Sequence, residues 1–405
     1  MSARPTVLFY CQHSLGLGHL VRSFALAGAL AERFRVVLLN GGRLPRGLVV
    51  PAGVEIESLP PLGMEVDGTL VSRDGRRSAE RALELRRARM LELRAELRAD
   101  VVFVELFPFG RKKFASELVP LLEASRAAGA LNVCSLRDIL VGSRRDQATF
   151  DERASVRANA LFDAILVHAD PAFARLEESF HPVTPLRVPV HYTGFVAPGG
   201  TRERALAPTP APAARPRVVV SAGGGAYGGA LLRAAADAHR RELAGAGIDM
   251  RIVAGPFLPD ADWHALRAAA RGQRGLDVRR SVPDLTAELS VAAASVSQCG
   301  YNTTLDLLRT GVPALVVPFA AGNEDEQTKR AERLARLGAV RVLPAGRADG
   351  PALAAEIKAL LAFRPAPVAL DLDGARNTAL TVANLHARAV APPPDPERRV
   401  LGVAS

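Results

Sequence analysis

Short apolar runs alternate with helix-length stretches almost from the first residue, and this alternation constrains the fold more than anything else in the chain. Runs at 6–11, 35–40, 54–58, 100–105, 131–135 and 164–168 read as strands. Between them, 19–33 places Leu20, Phe24, Ala27 and Leu30 at helical spacing. Residues 76–98 form an Arg- and Glu-rich helix whose charges, three and four apart, suit a solvated face, and 113–128 gives another helix. Strand–helix alternation of this kind implies a parallel sheet covered by helices on both faces. The pattern stops at 198–216, where Ala205-Leu-Ala-Pro-Thr-Pro-Ala-Pro-Ala-Ala214 is unsuited to a core. It restarts with strands expected at 217–221, 250–254, 278–280, 294–297 and 314–318 and a helix at 228–244.

The sequence therefore predicts two doubly wound α/β domains, 1–196 and 217–391. A Pro/Ala-rich linker, 197–216, joins them, and a Pro-rich tail, 392–405, is expected to be disordered. The length of 405 residues agrees, since it exceeds the size at which one core usually stops growing. In open α/β sheets ligands bind at the carboxyl ends of the strands, so two such sheets facing each other would enclose a cleft.

The net charge of +10 is carried almost wholly by arginine, the lysines being Lys112, Lys113, Lys329 and Lys358. A basic surface can attract anionic partners, but arginine with abundant alanine is also ordinary coding bias. With aromatics at 5% and none interleaved with basic runs, stacking platforms for single-stranded nucleic acid are not expected, and nucleic acid is excluded as a partner. Cys11, Cys134 and Cys299 are scattered, which gives neither a disulfide framework nor a metal knuckle. With no long apolar segment, the expected compartment is the cytoplasm. Arg111-Lys-Lys113 beside Phe107 and Phe109 would allow weak peripheral contact with an anionic membrane at its inner face.

Three segments carry chemistry. Gly16-Leu-Gly18-His19 follows the first strand and opens a helix. Its glycines permit a tight turn, and a histidine there either takes a proton from an acceptor hydroxyl or simply packs the helix. Gln12, His13 and Arg22 are polar neighbours with the same two readings. Ser221-Ala-Gly223-Gly224-Gly225 is a second strand-to-helix turn, where small residues let amides approach a phosphate. It lacks the Lys-Ser/Thr of a nucleotide triphosphatase loop, and an ordinary turn is the alternative.

The third segment, Ser297-Gln-Cys-Gly300-Tyr-Asn302-Thr303-Thr-Leu-Asp306, predicts a helix capped by Asn302 or Thr303. Its amino end is a second anion site. Asp306, in or just after the first turn, can accept two hydrogen bonds from ribose hydroxyls or can merely suit the helix dipole. Asn323-Glu-Asp-Glu326-Gln327 reads as an acidic, amide-rich loop that either meets sugar hydroxyls or is solvated.

The 297–327 stretch, followed by Arg330-Ala331, resembles the C-terminal half of the peptidoglycan N-acetylglucosaminyltransferase family, glycosyltransferase family 28. Gly16-Leu-Gly18-His19 resembles that family's N-terminal turn. Gln12-His-Ser-Leu-Gly-Leu-Gly-His19, Glu105-Leu-Phe-Pro-Phe-Gly-Arg111 and Ser135-Leu-Arg-Asp-Ile-Leu140 are similar to bacterial proteins described as predicted glycosyltransferases. The resemblance implies the GT-B fold, a UDP-sugar or other NDP-sugar as co-substrate, inversion at the anomeric carbon, and no metal or other cofactor. It implies His19 as base or acceptor-site histidine, Gly223 and Gly224 at the phosphates (with Gly225 in the same turn), Asp306 at the ribose, and Glu326 and Gln327 at the sugar.

Two departures bear on specificity: Asp306 stands where the family has glutamate, and Glu326 where it has glutamine. Where the family has a further glycine-rich turn this chain has Phe107-Pro-Phe-Gly-Arg111, so the peptidoglycan lipid intermediate is not the expected acceptor; whether the acceptor is a sugar, lipid or metabolite is not implied. Glu105, Arg111, Arg137 and Asp138 are acceptor-side candidates, as are His168 and Asp170, with structural ion pairs as the alternative. Glu105 or Asp138 could be the base through His19. Hydrolysis or epimerisation of the donor and non-catalytic binding of a nucleotide sugar are the rival functions.

Overall fold

The computed structural model describes residues 4–13, 18–44, 49–65, 68–197, 215–225, 227–319 and 325–391. Gly16, most of the expected linker and the expected tail lie outside them.

The first sheet is built from β1 (Thr6–Cys11), β2 (Arg35–Asn40), β3 (Val54–Ser58), β6 (Val101–Glu105), β7 (Leu131–Arg137), β8 (Ala164–His168) and β9 (Val190–Tyr192). These strands run parallel in the order β3-β2-β1-β6-β7-β8-β9. Every residue of the central strands β1 and β6 is buried, which explains why they read as unbroken apolar runs while the edge strand β3 does not. A short antiparallel pair, β4 (Leu62–Met64) with β5 (Leu70–Ser72), stands apart. Helices α1 (Gly18–Ala31), α2 (Ala79–Leu97), α3 (Ala115–Ala127) and α4 (Gln147–Leu161) make the crossovers. Ser78 caps α2 by accepting from the Arg81 amide.

The second sheet contains β10 (Arg217–Ser221), β11 (Asp249–Val253), β12 (Leu276–Arg279), β13 (Ala294–Ser297), β14 (Ala314–Val316) and β15 (Arg341–Val342), all parallel. Its order is β12-β11-β10-β13-β14-β15. It is covered by α5 (Gly229–Ala238), α6 (Asp260–Ala270), α7 (Leu285–Ser290), α8 (Tyr301–Thr310), α9 (Glu326–Arg336) and α10 (Gly350–Leu360). The expected helix over 228–244 continues past α5 as a π-helical turn at His239–Leu243. Strand order reverses beside β1 in the first sheet and beside β10 in the second, and at each reversal a ligand crevice opens at the carboxyl ends.

The last described helix, α11 (Gly374–Val390), returns to the first half of the chain. Ala379 and Val382 share a core with Leu20, Phe24 and Leu30 of α1 and with Val7 and Phe9 of β1. Gly374 permits this return, because a Cβ there would lie 2.3 Å from the Gly194 carbonyl oxygen. Among the described residues no helix is long and apolar enough to cross a membrane.

Candidate active site between the two sheets

The strand ends of the two sheets meet. Asn302 of α8 donates to the carbonyl of Gly18, the first residue of α1, at 3.3 Å. Tyr301 donates its hydroxyl to the His168 carbonyl at the end of β8, 2.9 Å, and accepts from the Val196 amide, 2.8 Å. The amino ends of α1 and α8 therefore lie side by side, one from each sheet, and both direct a helix dipole at the same space.

On the first sheet, His19 sits in the first turn of α1 with its side chain 24% exposed. Its Nδ1 is 2.6 Å from Oε1 of Glu105, the last residue of β6, which is fully buried. Arg22 donates to the same oxygen at 2.6 Å, and Arg111 approaches Oε2 at 3.4 Å. Burial opposes charge on Glu105, but His19, Arg111 and Arg22 outweigh it and hold the carboxyl well below its ordinary range. Burial is also the largest influence on His19. Glu105 opposes it, Arg111 and Arg22 add to it, and the imidazole falls to about 4. A neutral imidazole beside a carboxylate donates Nδ1–H to it, which leaves the Nε2 lone pair free to take a proton. Leu106 and Arg111, both at positive φ, bracket the loop that follows Glu105.

On the second sheet, Gly223 and Gly225 have positive φ, and a Cβ on Gly225 would lie 2.4 Å from the Ala254 carbonyl oxygen. Phe257 donates its amide to the Gly224 carbonyl, which fixes the turn. Helix α8 starts behind Gly300, whose φ and ψ of −67° and 155° are those of an uncapped entry. The expected caps are thus corrected: Asn302 reaches across to Gly18, and Thr303 is buried in the first turn with its hydroxyl toward Gly223. Among the described residues no side chain caps the first amides of α8. Asp306 falls just after the first turn and accepts from Thr286 of α7 at 3.0 Å. Burial raises its carboxyl to about 6 even against the Thr286 bond. Ser297 ends β13 buried, with its hydroxyl unpartnered among the described residues.

Several other expectations are revised. Residues 326 and 327 open α9 and are not part of a solvated loop. Glu326 is 7% exposed and forms an ion pair with Arg137 of the first sheet, Nη1 to Oε1 at 2.9 Å. Gln327 accepts at 3.1 Å from the Cys299 amide and at 3.1 Å from the Phe319 amide, so its carboxamide ties two strand ends together. Asp138 does not line an acceptor surface. It is buried against Arg330, which also donates to the Cys299 carbonyl. Glu105 and Arg22 lie behind His19 and do not form the wall of the cleft. His168 is wholly buried between Ser135 and Thr193, Asp170 holds the Ala172 and Asp371 amides, and Gln12 and His13 are taken up within the first sheet. Phe107 and Phe109 are buried, so they do not reach a headgroup layer. The role of Arg330 was not legible beforehand, because its partner lies 192 residues away.

The whole chain superposes on solved sugar transferases. It covers 97% of itself and 100% of the calicheamicin glycosyltransferase CalG4, with a TM-score of 0.60 at 18% identity. For MurG of Acinetobacter baumannii the figures are 95% and 99%, with a TM-score of 0.54 at 17% identity. Two parallel α/β sheets meeting at their strand ends, with this match, define the GT-B fold. Within it, residues 262–380 match the glycosyltransferase family 28 C-terminal domain. The curated relatives agree over that part. One is the UDP-N-acetylglucosamine–N-acetylmuramyl-(pentapeptide) pyrophosphoryl-undecaprenol N-acetylglucosamine transferase of Methylococcus capsulatus, 35% identical over 24% of this chain and 27% of that protein. The enzyme of the same name from an Azoarcus species is 32% identical over 34% of this chain and 38% of that protein. The matched stretch is thus little more than a quarter to a third of the relatives' own length.

Proposed function

We propose that the protein transfers a sugar from a nucleoside diphosphate donor, with inversion, to a hydroxyl-bearing acceptor. The observation that carries the reading is the His19–Glu105 pair placed opposite the uncapped amino end of α8. The donor diphosphate would lie against the 223–225 turn and the first amides of α8, whose dipoles stabilise the charge that develops on the departing group. Asp306 would accept from the ribose. As the acceptor oxygen bonds to the anomeric carbon, its proton passes to Nε2 of His19. The bond from that carbon to the diphosphate oxygen breaks, and the nucleoside diphosphate leaves with the electron pair. No step requires a metal in this scheme. UDP is the first donor to try, since the partial relatives named above are UDP-N-acetylglucosamine enzymes.

The acceptor class includes a lipid-linked sugar. With Phe107 and Phe109 buried, membrane attachment through them forms no part of the proposal. A cytoplasmic site of action follows from the donor, which is a cytoplasmic metabolite class.

The test is turnover of UDP-sugars by the wild-type protein and His19→Ala, with UDP binding followed by calorimetry. The expected result is UDP binding in both and a turnover about 10²–10⁴-fold lower in the variant. Equal turnover would remove His19 from the scheme. Release of free sugar without any acceptor would replace transfer by hydrolysis, with water using the same base.

A further inference from the structure

Arg22 lies one turn beyond His19 on α1 and is 2% exposed. A buried arginine at a site mouth usually meets a ligand or closes a structural ion pair. Arg22 closes such an ion pair with Glu105, and its guanidinium also touches the other member of the His19–Glu105 pair. Nη2 is 2.6 Å from Glu105 Oε1 and 3.2 Å from His19 Nδ1. Its other side faces the ring of Tyr301, 5.3 Å from the centroid, and Tyr301 begins the helix that the second sheet brings to the cleft.

We propose that Arg22 is the positioning residue of the His19 base. It holds Glu105 so that the carboxylate takes Nδ1–H of the imidazole, and it keeps the ring neutral with Nε2 open toward the cleft. The proposal rests on the reading of His19 as the base.

The geometry leaves little choice of proton arrangement. Arginine has only donors, so Nη2 donates to the carboxylate, and the 2.6 Å between Nδ1 and Oε1 places the shared proton on Nδ1. Oε1 then receives one bond from Arg22 and one from Nδ1–H, which selects a single tautomer. A guanidinium 3.2 Å from the ring also disfavours a second positive charge there. The other groups facing the imidazole act in known directions. Glu105 from β6 favours the imidazolium, while Arg111 from the following loop opposes it. Cys11 of β1 lies beside the His19 carbonyl, at 4.0 Å. From α8, the Asn302 amide meets Gly18, while Tyr301 covers Arg22 and is held neutral by burial. His168 at the end of β8 is buried, with its ring between Ser135 and Thr193. Among the described residues, Arg22 is thus the one cation that touches both partners.

The experiment is a proton titration of the full chain with ¹⁵N-histidine, reading tautomer and midpoint from the ring nitrogens. The His19 signals are assigned by their loss in His19→Ala. In the wild type, Nδ1 should carry the proton throughout the neutral range and the midpoint should lie well below that of free imidazole. In Arg22→Gln the midpoint should rise, and the Nε2–H tautomer should appear. An unchanged midpoint and tautomer in Arg22→Gln would overturn the proposal. If Arg22→Gln does not fold, Arg22→Lys decides. That variant keeps the charge but not the shared contact, so the tautomer should become mixed while the midpoint stays low, and a single Nδ1–H tautomer would overturn it. The titration is read without any donor, so its failure removes the role of Arg22 alone. The His19→Ala assay above tests the base itself.

Discussion

Arg330 of α9 holds Asp138, one residue beyond β7, with two hydrogen bonds of 2.7 and 2.8 Å, and both side chains are fully shielded from water. One partner belongs to each sheet, so the pair fixes how the two halves of the cleft meet. Burial opposes the charge on Asp138, and Arg330 overcomes it and lowers the carboxyl. Removing Arg330 alone leaves a buried, unpaired carboxylate. Arg330→Met should destabilise the chain by about 3–5 kcal/mol, measured by urea unfolding. Asp138→Leu combined with Arg330→Met should recover most of that loss, because two apolar groups replace a charge pair of similar volume. A double variant as unstable as the single one would show that Arg330 acts mainly through its bond to the Cys299 carbonyl.

Asp306 gives a prediction of opposite sign. Its carboxyl is raised to about 6, above the ordinary carboxylate value. The folded state therefore binds more protons than the unfolded state between about pH 4 and pH 6, and this group lowers stability as pH rises through that window. Asp306→Asn should be more stable than the wild type at pH 7 by about 1–3 kcal/mol, with no difference at pH 4. If Asp306 receives the ribose, the same variant should bind UDP more weakly at pH 7. Wild-type binding should also tighten as pH rises past about 6 and the carboxylate forms. Paired unfolding and calorimetric titrations at the two pH values check both. A variant that is no more stable at neutral pH would mean that the wild-type carboxylate bears no penalty in the folded chain.

The distribution of success along the chain has a physical cause. Strands such as 6–11, 35–40 and 164–168 were legible to the residue, because a central parallel strand is buried on both faces and must be apolar throughout. The Gly223 turn was legible because a tight strand-to-helix turn needs small residues. What could not be read were pairings across the cleft. Glu326 looks like a hydroxyl acceptor in sequence, yet Arg137 lies against it once the sheets meet. Asp306 reads from the sequence as in or just after the first turn, because Asn302 and Thr303 are good caps. The helix in fact begins at Tyr301, whose hydroxyl is needed by Val196 and His168. Helix α4 carries little periodic apolar signal, because its buried face mixes Asp151 and Ser155 with Ala154, Ala158 and Leu161.

His19 contributes its own pH dependence. Its imidazole is lowered to about 4, chiefly by burial, against an ordinary value near 6.5. The unfolded chain binds the proton more readily, so stability should fall as pH drops from about 6.5 toward 4, and His19→Gln should lessen that fall. Turnover, by contrast, should hold its plateau down to about pH 5, because the base stays unprotonated there. A pH–rate profile for the wild-type protein, beside thermal unfolding at the same pH values, checks the two limbs. An acid limb with its midpoint near 6.5 would place His19 in a wetter setting than the buried one described.

The two glycines of the proposed diphosphate site should separate folding from binding. Gly225 has a φ of +88°, and a Cβ there would meet the Ala254 carbonyl oxygen at 2.4 Å, so backbone would have to move. Gly225→Ala should cost about 1–3 kcal/mol in urea unfolding and should weaken UDP binding as well. Gly300 has an ordinary φ of −67° and open space around its Cβ position. Gly300→Ala should therefore leave stability within about 0.5 kcal/mol of the wild type. Yet it sits directly before the first free amides of α8, where a methyl group would meet an approaching diphosphate. UDP affinity should fall about tenfold with stability unchanged, as measured by calorimetry on the intact variant. Unchanged affinity in Gly300→Ala would move the diphosphate away from the start of α8 and onto the Gly223 turn alone.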